Sequence, residues 1–126
     1  SIVLLGDPQN YVKYDYNQPV FELMTAWTAH HIDSLRVKAV LCTGDLVDQN
    51  DVFYLLPTFR ESYEPGAVDF VSRAFGRLDN KVPYLISTGN HDYGYTRSEN
   101  SMTRFPEYFP IERNSQWKKD HRGCNQ

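Results

Sequence analysis

Three short apolar runs, each ended by a glycine-bearing polar cluster, constrain this chain more than any other feature of its sequence. Ser1–Leu5 (SIVLL) stops at Gly6, Asp7 and Pro8, Lys38–Thr43 (KAVLCT) stops at Gly44, and Val82–Ser87 (VPYLIS) stops at Gly89. Short runs without polar alternation suit strands buried on both faces of a sheet. The spacers between them are of helix length. Pro19 opens a segment to about Val37 in which Val20, Leu23, Met24, Trp27, Ile32 and Leu35 recur at helical spacing, predicting an amphipathic helix. After the second run, Pro57, Pro65 and Gly66 interrupt the chain, and Ala67–Leu78 predicts a second helix. Strand, helix, strand, helix, strand implies βαβ crossovers and a parallel sheet, hence an α/β fold.

Composition agrees with one globular domain. The 126 residues are 40% hydrophobic and 23% charged, and no apolar stretch reaches membrane-spanning length. A net charge of -3 argues against a basic nucleic-acid-binding face. Of the two cysteines, Cys42 lies inside an apolar run, where a small buried hydrophobe is the simplest reading; Cys124 lies near the end. From Tyr93 the character changes: residues 93–126 are aromatic and polar, with Pro106 and Pro110, and predict a loop-rich extension with one short helix around Ser101–Phe109. The division expected is therefore a motif-bearing core over 1–92 and that extension. The chain starts at Ser1 and closes on HRGCNQ without a final hydrophobic element, as a piece of something longer would.

In a parallel sheet the carboxyl ends of the strands lie at one edge, where open α/β sheets bind ligands. The clusters Gly6-Asp7-Pro8-Gln9, Gly44-Asp45-Leu46-Val47-Asp48 and Gly89-Asn90-His91-Asp92 should therefore converge although distant in sequence. Asp and Asn at a single strand end would ordinarily serve a turn or a helix cap. At three successive strand ends they suggest a shared site instead. Asp7, Asp45 and Asn90 offer oxygen donors suited to divalent Mn, Mg, Fe or Zn, and a carboxylate such as Asp45 can bridge two ions about 3.5–4 Å apart. Gly44 and Gly89 would let the backbone turn sharply where a Cβ would resist.

GDPQ, GDLVD and GNHD resemble the first three motifs of the calcineurin-like metallophosphoesterases, D-x-H, GD-x-x-D and GNH-[E/D], in order and each after a strand. The resemblance covers residues 1 to about 92, half of a catalytic domain. It implies a partial α/β/β/α sandwich, hydrolysis of phosphate esters by a hydroxide bridged between two metals (Mn, Fe, Zn or Mg), and the other half of the domain as partner. By the same resemblance Asp7 and Gln9 would bind the first metal, Asp45 would bridge both and Asn90 would bind the second. His91 would face the substrate and either protonate the leaving oxygen or hold the phosphate in its cationic form, and Asp48 would orient His91 and keep it charged. Arg97 and Arg104, downstream, offer phosphate clamps. The sequence leaves the compartment open, with an exported or periplasmic bacterial enzyme suggested by family habit alone.

Two departures qualify that picture. Gln9 stands where the family has His; its neutral amide oxygen is either a ligand favouring harder ions or a bystander. The later histidine motifs, including G-H-x-H, do not occur in this chain. The 126 residues alone should then be nearly inactive, and the rival reading is a non-catalytic module that keeps the fold. A nucleotide-binding domain fares worse, because neither G-x-G-x-x-G nor G-x-x-x-x-G-K-[ST] is present. His30 and His31 lie in the first helix, away from the strand ends, and His121 lacks the family's flanking pattern. The aromatics Tyr93, Tyr95, Phe105, Tyr108 and Phe109 would either wall a pocket or pack the extension onto the core.

Overall fold

The computed structural model describes residues 1–14, 16–47, 67–93 and 103–116. Three strands, β1 (Ile2–Leu5), β2 (Ala39–Cys42) and β3 (Tyr84–Ile86), form a parallel sheet in the order β1-β2-β3. Leu5 pairs with Cys42 and Cys42 with Ile86, so the strands end level with one another. Helices α1 (Gln9–Lys13), α2 (Gln18–His30), α3 (Ala67–Gly76) and α4 (Phe105–Tyr108) and a single 3-10 turn at Asn90–Asp92 complete the described residues. The partial α/β sheet with flanking helices matches the architecture expected of the sequence.

The core lies on one face of the sheet. Leu5, Val40, Cys42 and Tyr84 are buried there together with Phe21, Val71, Ala74, Phe75 and Leu78 from α2 and α3 and their flanks. Phe75 is its hub, with ring centroids 5.4 Å from Tyr84, 6.0 Å from Phe21 and 5.7 Å from Phe109. The opposite face departs from the expectation that both faces are covered. Ile2, Leu4 and Leu85 are 65%, 66% and 63% exposed, and Leu4, Leu41 and Leu85 lie in one cross-strand row. An apolar run satisfies the strand but does not determine what covers each side of it.

The phase of α2 is also corrected. Its buried positions are Phe21, Thr25 and Thr28, with Met24 packed beside them, whereas Val20, Leu23 and Trp27 face outward, as does Leu35 beyond its end. Two threonines can serve as core residues because each hydroxyl donates to a carbonyl one turn back, Thr25 to Glu22 at 3.0 Å and Thr28 to Met24 at 2.8 Å. The hydroxyls are thus satisfied within the helix, and the methyl groups are left to pack. The helix stops at His30 rather than Val37. Turns follow, with Arg36 at φ 49, and these deliver Val37 into the core two residues before β2. Helix α1 was not foreseen; it starts from Pro8, whose carbonyl accepts from Tyr11 and Val12.

The segment 103–116 packs on the core through Phe109, which stacks on Phe105 at 5.1 Å. Arg113 ties it down, donating to Asp79 at 2.9 Å, to the Ser72 hydroxyl and to the Tyr108 carbonyl. Fully buried Asn114 donates to the Val82 carbonyl at 2.9 Å and accepts from the Asn80 amide. For Phe105 and Phe109, packing is therefore the role observed.

Candidate metal-binding site at the strand ends

Level strand ends bring the three polar clusters to one edge. Thr43 N–H donates to Leu5 O, Ser87 N–H to Cys42 O, and the Ser87 hydroxyl to Thr43 O at 2.6 Å, extending the ladder past the last strand residues. Beyond this point the chain turns at Gly44, whose φ of +108° favours glycine. An added Cβ there would also sit 2.6 Å from the Gly89 nitrogen.

Asp45 is where the loops meet. It adopts a left-handed conformation, φ 45, which Asp tolerates better than most residues at a cost of about 1 kcal/mol. That geometry turns its carbonyl toward the first loop, where it accepts from Gln9 N–H at 3.0 Å. Its carboxylate Oδ1 accepts from His91 N–H in the third loop at 2.9 Å. One residue thus hydrogen-bonds to both neighbouring motifs. Gly89 lies against it so closely that an added Cβ would stand 2.6 Å from the Asp45 nitrogen and Cγ. Gly89 itself has an ordinary φ of −98, so it is space rather than backbone conformation that requires glycine here.

The remaining predicted residues fall as follows. Asp7 is exposed beside this edge, and its Oδ1 accepts from the Thr43 hydroxyl at 2.5 Å. Asn90 and His91 open the 3-10 turn, exposed and half-buried respectively. Asp48 and Arg97 lie outside the described residues, as do Tyr95, His121 and Cys124. Arg104 is engaged by its own helix: its guanidinium donates to Glu107 Oε2 and to the Tyr108 hydroxyl, each at 3.1 Å. His31 stacks on Trp27 at 4.3 Å, and His30 meets it edge-on. Cys42 is a buried free thiol, and burial pushes its pKa up to about 11.

Two residues at this edge were not assigned roles from the sequence. Thr43 steadies Asp7, as described. Asp92, the last residue of the third motif, is 3% exposed. Its Oδ1 accepts from the amides of Leu46 at 2.9 Å and Val47 at 3.4 Å, and its Oδ2 accepts from Gly89 at 2.9 Å. Desolvation raises its pKa, while those amides and the nearby Asp45 charge act in opposite senses, the amides lowering it and Asp45 raising it. The signal in the sequence was a carboxylate at the close of a motif whose other polar residues all had roles.

The donor set suits a hard divalent cation in one specific respect. Among the described residues, Gln9 Oε1 is the one buried side-chain oxygen or nitrogen without a hydrogen-bond partner. Leaving such an acceptor unmet costs about 1–3 kcal/mol, and a bound cation would relieve that cost. Among the described residues no three His, Cys, Asp or Glu side chains gather as a metal cage.

A family model described as calcineurin-like phosphoesterase matches residues 1–124. The uncharacterized protein YvnB of Bacillus subtilis (strain 168) is 29% identical over 125 residues, covering 98% of this chain. The chain spans 8% of that relative's length. No solved structure matches.

Proposed function

The chain belongs to the calcineurin-like phosphoesterases, and we propose that it forms the carboxylate-rich part of a metal-dependent site for phosphate-ester hydrolysis, organised around Asp45. The family generally uses divalent metals. When bound, such ions polarise phosphoryl oxygens and acidify water at neutral pH. Asp7, Gln9, Asp45 and Asn90 would hold them, with Asp45 reaching both positions. Gln9 in place of the family's first-motif imidazole shifts the preference toward the harder ions, Mn or Mg. The observation that carries this reading is the pairing of Asp45, hydrogen-bonded to both flanking motifs, with the unpartnered Gln9 Oε1.

His91 is assigned to the leaving group. Its backbone is fixed by Asp45, so its imidazole is carried on a turn whose position the metal-bearing residue sets. Protonated, the ring donates its proton to the departing oxygen; Asp48 would hold it charged and oriented. Together these roles predict a phosphatase or phosphodiesterase whose remaining ligands lie in the rest of the full-length protein.

The test is hydrolysis of p-nitrophenyl phosphate and its bis ester by the full-length protein with added Mn²⁺. His91→Ala should lower turnover by about 10²-fold or more while metal content stays near normal. A variant as fast as the unmodified protein would remove His91 from the leaving-group role. Failure of the unmodified protein to bind Mn²⁺ or cleave either ester would favour the non-catalytic module.

A further inference from the structure

The buried carboxylate of Asp92 has no part in the chemistry just described, yet it accepts from three backbone amides at the site's edge. It reaches across between loops that are 46 residues apart in sequence, taking Leu46 N–H and Val47 N–H from one and Gly89 N–H from the other. Leu46 directly follows Asp45, and Gly89 directly precedes Asn90. The contact therefore clamps the two peptide segments that carry the second and third motif ligands.

We propose that Asp92 is a positioning residue, a carboxylate clamp that fixes Asp45 relative to Asn90 and His91; this rests on the phosphoesterase reading above. The two carboxyl oxygens together accept from all three amides, Oδ1 from Leu46 and Val47 and Oδ2 from Gly89. An amide of the same size cannot: one of its faces becomes an NH₂ group pointed at a backbone N–H. With the clamp open on one side, Asp45 keeps its own bond to His91 N–H but its loop loses the second tie to the third loop. Outer contacts of this kind typically control about 10–100-fold in metal affinity or activity.

The experiment uses the full-length protein with Asp92→Asn, and with Val71→Ala as a control for stability, since Val71 is a fully buried α3 residue away from the loops. Mn²⁺ binding is measured by titration calorimetry, kcat and KM on the bis ester, and amide exchange by mass spectrometry. Asp92→Asn should weaken Mn²⁺ binding and lower kcat by about tenfold or more, with KM within about twofold. It should speed exchange at Leu46, Val47 and Gly89 but not in β2. Val71→Ala should lose thermal stability yet keep its Mn²⁺ affinity. Unchanged Mn²⁺ affinity and kcat in a folded Asp92→Asn protein would overturn the clamp alone. Equal loss of Mn²⁺ affinity in Val71→Ala would overturn it too, by showing that general destabilisation suffices. An unmodified protein that takes up no Mn²⁺ would instead overturn the functional reading, and the positioning role with it.

Discussion

Replacing Gly89 with alanine should damage the site and the fold together, by an amount the structure allows to be worked out. At φ −98 alanine's own backbone is unstrained, so the effect is steric. The new methyl would stand 2.6 Å from the Asp45 Cγ and backbone nitrogen and would overlap Oδ1. Ordinary carbon contacts lie at about 3.5–4.0 Å, so one loop must move by about 1 Å. Asp45 cannot simply retreat, because its carbonyl accepts from Gln9 and its carboxylate from His91. Overpacking costs about 1–3 kcal/mol, and the lost hydrogen bond to a charged acceptor about 1.5–3 kcal/mol. A combined loss of about 3 kcal/mol or more should lower Tm by about 10 °C in a domain of this size. A displacement of about 1 Å at a ligand should also lower kcat/KM by about 10²-fold. Scanning fluorimetry and the Mn²⁺-supported bis-ester assay read both quantities. Gly6→Ala is the control, because a methyl there meets nothing within 4 Å. A Gly89→Ala protein with Tm within about 2 °C and kcat/KM within about twofold of the unmodified one would refute the steric reasoning.

Further outcomes are expected. Gln9→Met removes the unpartnered Oε1, so the metal-free protein should gain about 1 kcal/mol of stability while Mn²⁺ binding weakens; a change of the same sign in both would make Gln9 a bystander. Cys42 should resist iodoacetamide at pH 8 in the folded protein and react once denatured, because its pKa is raised from 9.0 to about 11 by burial. The unfolded thiol then ionises first, so stability present in full below pH 9 is lost as the pH rises toward 11. Burial shifts Tyr84 in the same direction. Chemical denaturation at pH 8, 9.5 and 10.5 checks the sign of both.

Much of the site was legible because strand ends and turn chemistry are local. Each apolar run and its glycine stop identified a strand and the place where the chain leaves it, and parallel order then brought Asp7, Asp45, Asn90 and His91 to one edge. Candidate ligand types could be named without knowing any distance. The helix faces were not legible in the same way. Val20, Leu23 and Trp27 are as apolar as Phe21, and threonines 25 and 28 do not announce themselves as core residues. Their burial depends on hydroxyls satisfied inside the helix and on which stripe meets α3 and the sheet.

The sequence by itself determined which residues can form strands, where those strands stop, and what chemistry stands at each stop, because these depend on side-chain type and on neighbours along the chain. Only the tertiary structure decided that one sheet face is open, that Gly89 is required by the space beside Asp45, and that Asp92 joins two loops. The last two rest on contacts between residues more than 40 positions apart. Such contacts exist only once the strands have been set in register, and no local pattern encodes the distance between them.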